Sequence, residues 1–165
     1  MSILKVDTIN EKTTGNGVHI PGHVIATHSF VSSGTSEVAV SSSSFATLDT
    51  FNLTVKQANS IMVWWVDTQQ YIKSTSSTNL NWRMQVDGVS VGTDQSRLSA
   101  NQAGLNHVWY NQGTAREALY NHFITPSLTA GSHAFTIDVA RYNTGTITLK
   151  YQGGGFRYFV QEIAQ

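Results

Sequence analysis

The sequence predicts an all-β protein, an antiparallel β-sandwich or jelly roll with an extended N-terminal arm. Apolar and polar residues alternate with a period of two along most of the chain, and sustained helical spacing of apolar residues is nearly absent. Clusters of Gly, Ser and Asn separate the alternating stretches. Many short strands joined by such turns are typical of these two architectures.

The predicted strands follow one another along the whole chain. We place them, in order, at about residues 3–9, 23–31, 36–40, 45–55, 61–73, 79–87, 105–111, 117–125, 133–141, 145–151 and 156–163. The clearest alternation runs from Phe135 to Val139. Asp87-Gly88 and Asn143-Thr144-Gly145 are turn signals, because both need backbone with positive φ. Residues 32–44 read as a loop around a short edge strand, and residues 88–106 as a long loop.

The first strand stands apart from the rest and divides the chain into two regions. Leu4 and Val6 alternate with Lys5 and Asp7, and a hinge rich in polar residues and Gly follows at 10–17. A lone strand is only marginally stable in water, so it needs the body of its own domain, another copy or another protein. We therefore predict an arm for assembly and anchoring at 1–22 and a head domain at 23–165. The arm residues expected to make contacts are Ile3, Leu4, Val6, Ile9 and Ile20.

The charge composition excludes several classes of partner. Lys plus Arg and Asp plus Glu both number 10, and charged residues make up 12% of the chain, against about 25% in an average protein. Such a chain has no global field to attract nucleic acid or an anionic membrane. The longest apolar run, Ile61–Val66, is far shorter than the roughly 20 residues that a spanning helix needs. We expect neither nucleic-acid binding nor membrane insertion, and we expect synthesis in a cytoplasm.

The residues that could carry catalysis have structural explanations. A glycosidase needs two carboxylates across a cleft. Asp87 is expected to form a turn. Asp138 is expected to face solvent or a partner strand. Glu162 is expected to pair with Arg141 or Arg157. The chain has no cysteine and no Gly-x-Ser-x-Gly elbow. We predict that the protein is not an enzyme and holds no cofactor.

Three nearby histidines raise the question of a metal. His19, His23 and His28 lie close in sequence, but Pro21-Gly22 interrupts the strand, and no known ligand spacing is present. We interpret them as groups that make hydrogen bonds at a surface or interface, and we predict no metal.

Aromatic residues in the middle of the chain are the remaining signal. Trp64 and Trp65 are adjacent, so on a strand their side chains point to opposite faces. One is expected in the core and the other at a subunit interface or in solvent, unless both are covered within the subunit. The 88–106 loop either carries recognition or only covers one end of the head. The candidate interface and recognition residues are Trp64, Trp65, Arg97, Trp109 and Tyr110.

Short motifs at both ends of the chain resemble those of a known group of proteins. Ile3-Leu4-Lys5-Val6-Asp7-Thr8-Ile9, Ile20-Pro21-Gly22-His23-Val24-Ile25 and the ending Val160-Gln161-Glu162-Ile163-Ala164 are similar to virion structural proteins of cyanophages and other marine bacteriophages. Shorter matches in the body, at Ser42–Leu48, Asp87-Gly88-Val89 and Thr129–Phe135, extend the resemblance over nearly the whole chain. It implies a jelly roll in a virion, a homotrimer, and a role either as capsid cement or in a tail fibre.

Two functions compete, because cement proteins and receptor binders share a fold. The first is a trimeric capsid decoration protein that bridges capsid subunits, with the major capsid protein or another virion protein as its partner. The alternative is a tail-fibre knob that contacts a host surface glycan. The absence of a fibre shaft and the neutral charge favour decoration. An enzyme such as a depolymerase ranks last, because the chain lacks the length and the carboxylate arrangement.

Overall fold

The structure is a computed structural model that describes residues 22–32, 38–74, 78–91, 106–110, 113–141, 145–150 and 156–165. These residues form strands and turns, with no helix among them. The strands are β1 (Val24–Val31), β2 (Val38–Val40), β3 (Ala46–Val55), β4 (Ile61–Ser74), β5 (Thr78–Val86), β6 (Val89–Val91), β7 (Asn106–Tyr110), β8 (Gly113–Ile124), β9 (Gly131–Arg141), β10 (Ile147–Lys150) and β11 (Arg157–Ile163). The all-β prediction is confirmed. The predicted strand 3–9 and the arm up to residue 21 lie outside the described residues.

The strands pair in two antiparallel sheets, and several short strands share one row. In the first sheet, β11 and β10 lie end to end along one side of β4, and β1 and β2 lie end to end beside them. Strand β8 pairs with the other side of β4. In the second sheet, β9 lies between β3 and β5, and β6 and β7 lie end to end along the far side of β5.

When strands that lie end to end are counted as one row, the order of the rows in the two sheets is that of a jelly roll. The first sheet has the row order β1/β2, β10/β11, β4, β8, and the second has β3, β9, β5, β6/β7. Numbered along the chain, these are rows 1-8-3-6 and 2-7-4-5, so successive rows mostly cross between the sheets. Two interlocked Greek keys in eight strands define the jelly roll.

Aromatic side chains join the two sheets in the core. Trp64 of β4 packs against Phe135 of β9 with ring centroids 5.1 Å apart. Trp82 of β5 meets Phe156 edge to face at 5.9 Å. All four residues are fully buried. Large rings dominate the energy of such cores, because each removes a large apolar area from water.

The turn predicted at Asp87-Gly88 is confirmed, but the loop predicted after it is partly wrong. Both turn residues have positive φ, 51° at Asp87 and 81° at Gly88, and they join β5 to β6 as a tight hairpin. The predicted 88–106 loop therefore contains the three-residue strand β6. Its sequence was too short to show alternation, and pairing with Met84 to Val86 makes it a strand.

Candidate functional site

The two sheets differ in the chemistry of their outer faces. On the second sheet, the exposed outer positions of β3 and β9 carry Thr50, Asn52, Thr54 and Ser132, and Val89 is exposed on the edge strand β6. This polar face is what an antiparallel sheet shows when one side packs on the core and the other meets water. The first sheet departs from that pattern, because its outer face exposes large apolar side chains: Val24, Val31, Trp65, Ile124 and Phe159.

The centre of this outer face is an aromatic pair on adjacent strands. Trp65 on β4 and Phe159 on β11 lie directly opposite each other in the strand register. Their ring centroids are 5.4 Å apart, the ring planes are tilted by 51°, and each residue is 41% exposed. The pair forms one wall of an open groove of about 440 Å³. We call this the aromatic groove; its lining includes Ser29, Val31, Trp65, Asp67, Arg157 and Phe159.

Polar groups stand beside the rings in the aromatic groove. Arg157 and Asp67 are cross-strand neighbours in the register, one pair along from Phe159 and Trp65. Asp67 is half-buried, and its Oδ1 atom is shielded from water and has no hydrogen-bond partner. The groove therefore combines an apolar wall with a carboxylate and a guanidinium.

A second apolar region covers the other end of the same face. We call it the apolar patch; it consists of Val24, Ile61, Val63, Ile124 and Ile163. The described chain begins at this end. The N–H of Gly22 donates to the carbonyl of Ala164 (2.8 Å), and the N–H of Ala164 donates to the carbonyl of His23 (2.9 Å). Residues 1–21 therefore join the head beside the apolar patch.

The structure separates the two adjacent tryptophans as strand alternation requires. Trp64 is 0% exposed and belongs to the core, while Trp65 reaches the outer face. The alternative in which both are covered within the subunit is wrong for the single chain. Of the pair, only Trp65 is a surface candidate.

The other predicted site residues do not gather around Trp65. Trp109 and Tyr110 belong to β7 in the second sheet, opposite Asn79 and Thr78. Arg97 and the arm residues Ile3, Leu4, Val6, Ile9 and Ile20 lie outside the described residues. Phe159 was not among the predicted site residues. Its signal was the alternation of Tyr158, Phe159 and Val160, which places Phe159 alone on the outer face.

Asp138 is buried in an ion pair rather than exposed to solvent. It is 1% exposed and accepts hydrogen bonds from Arg83 Nε (2.9 Å), Arg83 Nη2 (2.6 Å) and Thr47 Oγ1 (3.0 Å). Arg83 and Thr47 flank Asp138 on the two neighbouring strands. The partner-strand alternative is thus the correct one, and solvent exposure is wrong. Asp138 therefore has a structural role, because its hydrogen bonds connect β9 to both neighbouring strands.

The predicted pairing of Glu162 with Arg141 or Arg157 is wrong. Glu162 is 0% exposed, and its carboxylate accepts hydrogen bonds from the backbone N–H groups of Lys56 (3.0 Å) and Gln57 (2.9 Å). Glu162 faces the interior next to Ala164, whereas Arg157 is on the exposed, outward-facing register of β11. The Glu162 side chain therefore binds the backbone of the connection between β3 and β4.

One further carboxylate lies near the core without forming a catalytic pair. Burial raises the pKa of Asp49, and the hydrogen bond that Tyr158 donates to it acts in the opposite direction.

Within the described ranges, no cluster of three or more His, Asp or Glu side chains is arranged to hold a metal ion. In the same part of the chain, no helix has the length and apolarity to cross a membrane.

No protein-family model and no curated protein matches the chain. Among solved structures, the chain is similar to the EclA C-terminal domain, described as a sugar-binding protein, at 11% identity and a TM-score of 0.36, with 93% of this chain and 89% of that chain covered. It is also similar to a GH115 4-O-methyl-α-glucuronidase with specificity for decorated arabinogalactans (11% identity, TM-score 0.37, 98% and 20% covered). A third is dimeric latent PorU from Porphyromonas gingivalis (9% identity, TM-score 0.38, 92% and 14% covered). At these scores the likenesses carry no argument.

Proposed function

We propose that this protein is a non-enzymatic structural protein of a bacteriophage virion, a trimeric decoration protein that stabilises the capsid by bridging its subunits. The resemblance of the terminal motifs to phage virion proteins supports a location in the virion. The observation that carries an assembly role is the apolar patch on the outer face of the first sheet.

The apolar patch supports assembly because it contradicts the ordinary pattern of a sandwich. Val24 is 40% exposed and Ile124 is 48% exposed, on a face that would normally be polar. Contiguous exposed apolar surface of this kind marks interaction sites in soluble proteins. Strands β3 and β9 of the second sheet supply the contrast within the same molecule, since their exposed outer positions are polar.

The position of the patch also suits the predicted arm. Residues 1–21 join the head at Gly22, beside Val24 and Ile163. An arm and an apolar surface at one end of the head would contact the same neighbour. The low charge of the chain favours close packing of copies, because neutral subunits repel one another weakly.

The copy number of this chain in purified virions tests the proposal. Quantitative mass spectrometry against the major capsid protein is expected to give a ratio near one, or one trimer for each junction between capsid subunits. A few copies per particle would contradict decoration and move the protein to the tail. Absence from virions would overturn the virion role altogether.

Substitutions in the apolar patch test its part in assembly. We expect the double variant Val24→Asp, Ile124→Asp to fold normally and to incorporate poorly into particles, because both side chains are already exposed in the single chain. The matched control is Thr50→Asp, Asn52→Asp, which adds the same charge to the outer face of the second sheet. Equal incorporation of the two variants would remove the patch from the proposal.

Deletion of residues 1–20 tests the arm separately. The head is expected to remain folded, since the strands from Val24 to Ile163 pair with one another in the two sheets, and incorporation is expected to fail. A truncated protein that still decorates particles would contradict the anchoring role of the arm.

The second candidate is a tail-fibre knob that contacts a host surface glycan. The aromatic groove favours it, because exposed aromatic rings beside hydrogen-bonding groups suit a ligand with one apolar face and one polar edge. The copy-number measurement discriminates between the two locations.

A further inference from the structure

We propose that the aromatic groove binds a neutral saccharide, with one sugar ring packed on Trp65 and Phe159 and its hydroxyl groups bonded to Asp67 and Arg157. The inference deepens the second candidate function and rests on the recognition of a glycan, but it does not require a location in the tail.

The aromatic pair supplies a surface for one face of a sugar ring. The two rings are tilted by 51° with centroids 5.4 Å apart, so they are not stacked face to face. Each residue leaves about two fifths of its surface in water. The carbon-bound hydrogens on one face of a pyranose are apolar, and covering these rings with that face removes apolar area from water on both sides.

The two charged groups select a ligand rich in hydroxyl groups. A carboxylate only accepts hydrogen bonds and a guanidinium only donates them, whereas a hydroxyl group does both. Vicinal hydroxyl groups can therefore donate to Asp67 and accept from Arg157 at the same time. The Oδ1 atom of Asp67 has no partner, and a donor in the groove would supply one after rotation of the carboxylate. An unpaired buried acceptor is unfavourable, so a ligand that donates to it is favoured.

The same pair argues against charged and purely apolar ligands. An anion attracted by Arg157 would meet the carboxylate of Asp67, which stands opposite it in the register. A cation would meet Arg157 in the same way. An apolar side chain would cover the rings but desolvate the carboxylate without giving it a hydrogen bond, which is unfavourable.

The groove has room for such a ligand and adjoins the apolar patch. Its volume of about 440 Å³ falls in the usual range of roughly 300–1,000 Å³ for small-molecule sites. Val63 of the patch and Trp65 of the groove are two residues apart on β4, so about 7 Å separates them at the rise of an extended strand. Asp67 and Arg157 lie at the end of the groove that is farther from the patch.

Saturation-transfer NMR and a polysaccharide array with the full-length protein test the inference. The probes are methyl glycosides of glucose, galactose, mannose and N-acetylglucosamine, and neutral and acidic bacterial polysaccharides. We expect at least one neutral saccharide to bind. Trp65→Ala should weaken binding about tenfold or more, by loss of the stacking surface. Asp67→Asn should weaken it severalfold, by loss of a charged acceptor. Ile124→Ala, an exposed apolar change outside the groove, should leave it unchanged.

Three outcomes would overturn the inference. One is no neutral saccharide binding at concentrations up to about 10 mM, where even ligands of millimolar affinity are detected. Another is binding that is unchanged in Trp65→Ala while that variant keeps the melting temperature of the parent. The third is binding only to acidic polymers, which would assign the surface to charge rather than to sugar stacking. None of these outcomes alters the copy number in virions, so this inference and the decoration role fail separately.

Discussion

The carboxylate of Asp87 lies 2.7 Å from Nδ1 of His133 and ties the β5–β6 turn to strand β9. The other oxygen of Asp87 accepts a hydrogen bond from the N–H of Ala134 (2.8 Å), and Nε2 of His133 lies 2.9 Å from the carbonyl oxygen of Thr129. Both ring nitrogens of His133 therefore face acceptors. Only the protonated imidazolium can donate to both, so the pair favours the charged form.

The first prediction concerns the pH dependence of stability that this pair creates. The hydrogen bonds to Asp87 and Thr129 raise the pKa of His133 above 6.5. The hydrogen bond from Ala134, followed by that with His133, lowers the pKa of Asp87 below 3.8. The stabilisation from His133 is complete below 6.5 and is lost as pH rises through its folded pKa. That from Asp87 is present above 3.8 and is lost as pH falls through its folded pKa.

Urea unfolding of the parent and of His133→Gln across the alkaline limb measures the effect. The parent should lose stability as pH rises from 6.5 through the folded pKa of His133, and the variant should lose less over the same range. The exposed position His23 gives the control, His23→Gln, which should follow the parent. The raised pKa of Asp49 makes stability fall as pH rises through it, opposite in sign to Asp87, so the difference between the parent and His133→Gln reports on His133. Parallel curves for the parent and His133→Gln would contradict the prediction.

The second prediction concerns Glu162. Replacing Glu162 with Ala leaves the N–H groups of Lys56 and Gln57 without their acceptor, which should lower the free energy of unfolding by about 2–4 kcal/mol. Glu162→Gln keeps one acceptor oxygen and should lose less. The neighbouring control is Gln161→Ala, on the outer face of the same strand, with an expected change within about 0.5 kcal/mol. Chemical denaturation gives all three values, and a loss for Gln161→Ala equal to that for Glu162→Ala would refute the role.

The third prediction uses the two adjacent tryptophans as a matched pair. Trp64→Ala removes a fully buried ring that packs against Phe135 and should lower the free energy of unfolding by about 3–5 kcal/mol. Trp65→Ala removes a ring from the outer face and should cost below about 1 kcal/mol. Thermal and urea unfolding of both variants checks the contrast. Similar losses at the two positions would mean that Trp65 is covered in solution, for example by a second copy.

Much of the fold was predictable because it depends on local patterns. The period-two alternation located most strands to within a few residues, and the Asp87-Gly88 turn followed from its need for positive φ. The division of Trp64 and Trp65 between two faces also followed, since it needs only the geometry of one strand.

The candidate site was less predictable because it depends on which strands become neighbours. Trp65 and Phe159 are far apart in sequence, and only the row order of the jelly roll brings β4 beside β11. The partners of Glu162 lie 105 and 106 residues away in the connection after β3. The strand β6 was missed because three residues give no alternation to detect, and its pairing with β5 defines it.

The fourth prediction concerns the buried ion pair on the second sheet. Asp138 joins Thr47 and Arg83 across three strands, and the Arg83 guanidinium also lies 4.2 Å from the centre of the Phe45 ring. Removing one partner of such a pair leaves the other charge uncompensated, so the single variant Asp138→Leu should cost about 3–5 kcal/mol. Replacing both with apolar residues of similar size, Arg83→Met with Asp138→Leu, should cost much less than the sum of the single changes. A double-mutant cycle by urea unfolding, with Thr50→Ala as the control on the same face, measures the coupling. Additive losses would show that Arg83 and Asp138 contribute independently, through Phe45 and Thr47, rather than as a pair.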